Sequence, residues 1–193
     1  MESKVLGRLS RLSIALITLP DSQAEVLTRV LQRSRAEIRR YWPCPQIFDT
    51  DADILVCDFF PGLERRLPWN PGEAKAAVVL VLPGGGQPDA DAIHAALPDG
   101  ILTRPIQESA VLPVVSMAWD HFSYHRRQSE RIDQLDESIR TLREIERAKT
   151  ILMQDRKISE ANAFEALRKE AMRRRIKVSV VAKTIIDGAS NDR

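Results

Sequence analysis

Along the first hundred residues the apolar positions come in short continuous runs, separated by segments rich in proline, glycine and charge. Ser13 to Leu19 is a β-rich run that stops at Pro20-Asp21. Ala24, Val26-Leu27 and Val30-Leu31 then recur at helical spacing, which predicts an amphipathic helix ending near Arg33 to Arg35. Ala36, Ile38 and Arg40 alternate with polar neighbours in the manner of a half-buried or edge strand, and Trp42-Pro43-Cys44-Pro45 reads as a rigid loop. Asp53 to Asp58 is a buried strand ending in an acid, and Ala76 to Leu82 is the most apolar strand, closed by Pro83 and three glycines. Asp89 to Leu97 predicts a short helix, Gly100 to Thr103 a fifth strand, and a long helix begins near Gln107 or Glu108.

Strands joined by crossovers of this length predict an α/β fold, a mainly parallel five-stranded sheet with helices on both faces. One crossover is irregular. Pro61 to Glu73 carries three prolines and two glycines, which predicts a loop with at most one helical turn. Trp69 in that loop reads either as a partner contact or, more commonly for an aromatic, as the anchor of its own loop.

Beyond Pro113 the chain shows no strong break as far as Arg147. Ile132, Leu135, Ile139 and Leu142 are spaced 3, 4 and 3, flanked by charge, as in the seam of a coiled coil. The alternatives are a dimer seam and a single helix folded back on its own domain. Three shorter helical patterns follow. Ala148, Ile151 and Leu152 lie on the first; Ser159 caps a second with Ala163, Phe164, Leu167 and Ala171; Val178, Val181, Ala182 and Ile185 form the third. Three helices of this size cover one another's apolar stripes as a small bundle, with Phe164 expected in its core.

Charge changes the picture only in this tail. Between Lys149 and Lys177 stand nine cations against four acids, although the formal net charge of the whole chain is only +2. Lys149, Arg156, Lys157, Arg168, Lys169, Met172, Arg173, Arg174, Arg175 and Lys177 are the candidate RNA-binding residues, with Arg168, Met172 and Arg175 on one helix face at i, i+4 and i+7. Guanidinium groups and a thioether on one face suit phosphates and splayed bases, while a solvated charged surface is the plainer reading.

Length allows one ordinary domain plus an appendage over 193 residues. No apolar run is long enough for a bilayer, and the basic start followed by Ile14 to Leu19 suits a first strand better than a signal peptide. Cys44 and Cys57 have no metal or disulfide spacing and fit a reducing cytoplasm. His121 and His125 at i, i+4 lack a third ligand, and Gly84-Gly85-Gly86 lacks the Lys-Ser/Thr of a phosphate loop. No nucleophile–base pair, metal set or cofactor loop is found, so neither an enzyme nor a cofactor is expected.

The tail resembles an ANTAR domain, the RNA-binding module of AmiR- and NasR-type transcription antiterminators. The resemblance rests on Ala148-Lys149, Leu152-Met153-Gln154, Ala163-Phe164, Leu167-Arg168, Ala171 through Arg175 and Val181-Ala182. Lys157 departs from it, standing where many members carry a helix-ending glycine. The first part resembles, in layout, a response-regulator receiver domain. Asp58 stands where receivers keep the phospho-accepting aspartate, but Thr18-Leu19 replace the acidic pair, Val81 or Leu82 the hydroxyl residue, and Arg104-Pro105 the lysine-proline. With no carboxylates expected to hold Mg²⁺, Asp58 is a residual position and the domain a pseudo-receiver.

Together these resemblances imply residues 1–118 as a receiver-like domain, 119–147 as a coiled-coil dimerisation helix and 148–190 as the ANTAR domain. They imply a homodimer that binds leader-mRNA hairpins, controls an amidase operon, and is held by a ligand-sensing negative regulator of the amide-binding type. The alternatives are a phosphorylation-switched regulator acting through protein contacts and a DNA-binding regulator using the basic tail.

Overall fold

A computed structural model describes residues 7–48, 51–70, 73–85 and 89–191. The chain divides into two compact units, one ending at Arg126 and the other beginning at Arg127. Met1 to Leu6, Thr50, Pro71-Gly72 and Gly86 lie outside the described residues, so one residue of the triple glycine and two of the irregular loop do too.

In the first unit the predicted strands and helices appear in the expected order. Strands β1 (Ser13–Ile17), β2 (Glu37–Arg40), β3 (Ile54–Asp58), β4 (Ala77–Leu82) and β5 (Gly100–Thr103) form one parallel sheet in the order β2-β1-β3-β4-β5. Helix α1 (Ser22–Gln32) follows β1 and is capped by Asp21, whose carboxylate accepts from the Ala24 N–H at 2.8 Å. Helix α2 (Ala90–Ala95) is capped in the same way by Asp89. The irregular loop holds one 3₁₀ turn, Leu63–Arg66, and Trp69 packs half-buried against the unit's own core.

The two-residue period of the strands sorts their side chains cleanly. Ile14, Leu16, Ile54, Val56, Val79 and Val81 face one layer with Leu27, Val30 and Leu31 of α1 and Val111, Val115 and Ala118 of the long helix. Ala15, Ile17, Leu55, Cys57, Val78 and Leu80 face the other, with Phe48, Leu63 and Ala96. Both faces are covered, which is why the central strands are continuous apolar runs while the edge strands β2 and β5 are partly exposed.

Helix α3 (Glu108–Arg156) is 49 residues long and passes from the first unit into the second. Its beginning is buried in the first core as far as Phe122, and every residue from Tyr124 to Arg140 is exposed. In the second unit, Ala148 and Leu152 of α3 pack with Ala163, Leu167 and Ala171 of α4 (Glu160–Arg174) and with Val181 and Ala182 of α5 (Val178–Asn191). No described helix is long and apolar enough to cross a membrane.

Candidate nucleic-acid interface

The bundle is closed by two turns that each place a cation in the left-handed region. Helix α3 stops at Arg156 and Lys157 takes φ 51°, so lysine adopts here the conformation in which glycine is least strained. Ser159 then caps α4, accepting from the Asn162 N–H. At the other end of α4, Arg175 has φ 55° and ψ 40°, and the Ile176 N–H donates to the Ala171 carbonyl at 3.0 Å, closing a Schellman turn. Arg175 is therefore outside the helix. The expected i, i+4, i+7 face keeps Arg168 and Met172, but Arg175 leaves it because the chain reverses one residue earlier.

Phe164 corrects a second expectation. Ala163, Leu167 and Ala171 form the buried stripe at four-residue spacing, and Phe164, one position round the helix, is 42% exposed. Its ring stands at the surface, as does Met172 at 64% exposure. Two soft, apolar groups thus lie among the cations of this unit.

The ten candidate residues do not share one environment. Lys149 is buried, its ammonium donating to both Glu146 oxygens at 2.9 and 3.0 Å and to Glu160 at 2.6 Å. The hydrogen bond to Glu160, then those to Glu146, raise the Lys149 pKa, and the Lys149 hydrogen bond lowers that of Glu160. Lys149 thereby ties α3 to the first turn of α4. Arg173 and Arg174 both hold Glu170, whose carboxyl falls to about 2, chiefly through the Arg173 hydrogen bond. Arg168 lies 3.6 Å from Glu165. Arg156, Lys157, Lys169, Arg175 and Lys177 are exposed with no acidic partner among the described residues.

In the first unit the corresponding question concerns Asp58. It ends β3 as expected, and its carboxylate accepts from the Leu19 N–H at 2.7 Å. Its other partner is Arg104, at the end of β5, whose Nη2 reaches both Asp58 oxygens at 2.9 and 3.2 Å. Arg104 Nη1 also meets Asp21 at 2.6 Å. Burial penalises this cation, yet the hydrogen bonds to Asp58 and attraction from both carboxylates raise its pKa. The Ala24 N–H is the largest cause that lowers the pKa of Asp21, which burial opposes and Arg104 assists.

Asp21 brings a second carboxylate to this pocket, although Thr18-Leu19 stand where the receiver's acidic pair would be. It comes from the helix cap, three residues beyond Thr18, at a position that the sequence marks only as the end of the first strand run. Its two oxygens are already engaged, one by the cap and one by Arg104. Gly84 belongs to the same arrangement: a Cβ there would stand 2.6 Å from the Arg104 carbonyl oxygen, so the β4 exit must be bare for Arg104 to sit as it does. Elsewhere, His121 and His125 have ring centroids 4.4 Å apart, and His121 Nδ1 lies 2.8 Å from Asp99. No group of three or more metal-ligating side chains occurs among the described residues.

Comparison with known proteins agrees with both halves of this description. Residues 133–186 match the ANTAR domain family model. An aliphatic amidase regulator of Pseudomonas aeruginosa is 25% identical over 187 residues, covering 95% of each chain. Among solved structures, the response regulator StyR superposes with a TM-score of 0.56 at 14% identity, over 92% of this chain and 99% of its own. That likeness concerns the fold. The C-terminal unit thus contains the stretch that matches the ANTAR model, and the first unit has a receiver-like fold whose Asp58 is held by an arginine.

Proposed function

We propose that this protein is an RNA-binding transcription antitermination regulator. The observation that carries the reading is the set of exposed cations, Arg156, Lys157, Lys169, Arg175 and Lys177, that have no acidic partner among the described residues, on a bundle that matches the ANTAR model. They would neutralise phosphates of leader-mRNA hairpins, with Arg168, Arg173 and Arg174 joining them by exchanging carboxylate for phosphate. Phe164 and Met172 offer apolar surface for unpaired loop bases. Lys149, gripped by two glutamates, serves by holding the bundle together. Stabilised hairpins would compete with a terminator and let RNA polymerase continue. By likeness to the aliphatic amidase regulator, the transcript would encode an amidase.

The active species in this reading is a homodimer in the cytoplasm. Ile132, Leu135, Ile139 and Leu142 are 49–60% exposed on the solvent-facing middle of α3, which suits a seam with a second copy. Two tails on one dimer would raise affinity for a two-hairpin RNA through effective concentration. Control runs through a ligand-sensing negative regulator of the amide-binding type that sequesters the dimer. The Arg104 clamp on Asp58 supports a route other than phosphorylation, because the arginine occupies the carboxylate that a phosphodonor and a metal ion would both require.

The test is a gel shift of the intact protein with a two-hairpin leader RNA, beside duplex DNA of equal length. Replacing the five partnerless cations by alanine is expected to weaken RNA binding on the order of a hundredfold or more. Equal affinity of the wild type for RNA and DNA, or an unaffected variant, would reject the reading.

A further inference from the structure

A second basic groove lies in the C-terminal unit, outside the residues so far assigned to RNA. It is a cavity of about 420 Å³ between α3 and α5, lined by Arg140, Arg143, Glu144 and Arg147 of α3 and by Lys183 and Asp187 of α5, beside Ile186. Four cations face two carboxylates. Glu144 is shared between Arg140 at 4.0 Å and Lys183 at 3.6 Å, distances too long for strong hydrogen bonds. Arg143 and Arg147 have no acidic partner among the described residues.

Helical geometry keeps this groove open in the proposed dimer. With Ile132 and Ile139 at a and Leu135 and Leu142 at d, Arg140 and Arg147 fall at b, Arg143 at e and Glu144 at f. Positions b and f point away from the a/d seam, and e borders it. A partner helix on the seam would therefore leave Arg140 and Arg147 facing solvent, with Arg143 at the seam's edge. Arg140 to Arg147 also spans about 10 Å along the helix axis, a length that meets two or three successive phosphates of one strand.

We infer that this groove binds the sugar-phosphate backbone of the hairpin stem, as a phosphate track separate from the loop-facing surface of α4. The inference rests on the RNA-binding reading above and extends it. The guanidinium forks of Arg143 and Arg147 match phosphate oxygens pairwise, and Lys183 adds a point charge from the opposite wall. Glu144 lies between Arg140 and Lys183 and offsets part of their charge, which leaves Arg143 and Arg147 as the main phosphate contacts. Because the contacts are to backbone, they add affinity and register without reading sequence.

The experiment measures the affinity of the full-length protein for a two-hairpin RNA between 50 and 200 mM salt. Wild type is compared with the Arg143→Ala/Arg147→Ala double variant and with Arg143→Lys/Arg147→Lys. Each lost phosphate contact lowers the slope of log K against log salt by about 0.7–0.9, so the alanine pair is expected to lower it by about 1.4–1.8. The lysine pair keeps most of the slope, and base changes in the loop weaken wild type and alanine variant by equal factors. Sedimentation and far-ultraviolet circular dichroism show whether dimer and helix survive. If wild type binds RNA and the intact, folded alanine pair has an unchanged slope, the groove is not on the RNA and this inference alone is overturned. If wild type binds no RNA, the functional reading fails and the groove assignment falls with it.

Discussion

Each unit of this protein holds one cation between two carboxylates, and the surroundings of those two cations differ. Arg104 sits with 17% of its side chain exposed, gripped by Asp21 and Asp58. Lys149 is likewise enclosed between Glu146 and Glu160, but Arg156, Lys157, Lys169, Arg175 and Lys177 of the same unit have no acidic partner among the described residues. In the first arrangement the charges pair with one another. The second supports a surface whose charge is available. A count of charges does not distinguish the two, because what matters is whether each carboxylate's acceptor sites are already filled.

Three substitutions bear on this contrast. Arg104→Ala is expected to have the largest effect on stability, leaving Asp21 and Asp58 facing each other without their shared cation. Its cost should be about 2 kcal/mol, between the small value of an exposed pair and the larger one of a fully buried pair. All three tryptophans, Trp42, Trp69 and Trp119, lie in the first unit, so fluorescence-monitored urea unfolding follows that unit specifically. RNA affinity should stay within about twofold of wild type, on the order of the error of such measurements; a large loss would mean that the closed pocket and the open surface are coupled.

Lys149→Met should lower the melting temperature of the bundle by less than Arg104→Ala lowers that of the first unit, since both glutamates regain water. Its pH signature separates the cases. Glu160 has a lowered pKa, so its contribution is present above the ordinary glutamate value and fades as pH falls through the folded one. Lys149 has a raised pKa, so its contribution is present below the ordinary lysine value and is lost as pH rises through the folded one. Wild-type bundle stability should therefore lose its plateau at both extremes, and the difference between wild type and Lys149→Met should shrink there. A difference that does not vary with pH would mean that the lysine acts through its hydrocarbon stem alone.

The smallest effect expected is a gain. Lys157→Gly relieves a left-handed φ of 51° and should stabilise the bundle by about 0.5–1 kcal/mol, read from thermal unfolding of the helical signal. The same change removes a partnerless cation, so tighter folding should accompany weaker RNA binding. Improvement in both would place Lys157 outside the interface.

Much of this was legible in the residues. The strand runs from Ser13, Asp53 and Ala76, the irregular crossover at Pro61 to Glu73 and the edge strand around Ile38 all announce themselves by period and punctuation. The helical bundle follows from three apolar stripes, and the place of Asp58 at the end of β3 from strand order. Less legible were the partners. Asp21 stands 83 positions before Arg104 in the chain, yet meets it at 2.6 Å because parallel strands bring their C-terminal ends together. Phe164 belongs to an apolar pattern, but its angular position relative to Ala163 and Leu167 places it outside the core. Arg175 belongs to a helical pattern, but α4 ends one residue earlier. Arg140, Arg143 and Arg147 look like the flanks of a coiled coil until α5 is laid beside them.

What the sequence determined by itself was local and periodic: which segments are strands or helices, which faces are apolar, where caps and breakers stand, and that positive charge collects near the end. These follow from backbone preference and the burial of apolar area, which are written in the order of neighbouring residues. The tertiary structure alone decided which charges are consumed and which are left over. Pairing depends on distances of a few ångströms between residues far apart in the chain, and the packing of the sheet and of the three helices sets those distances.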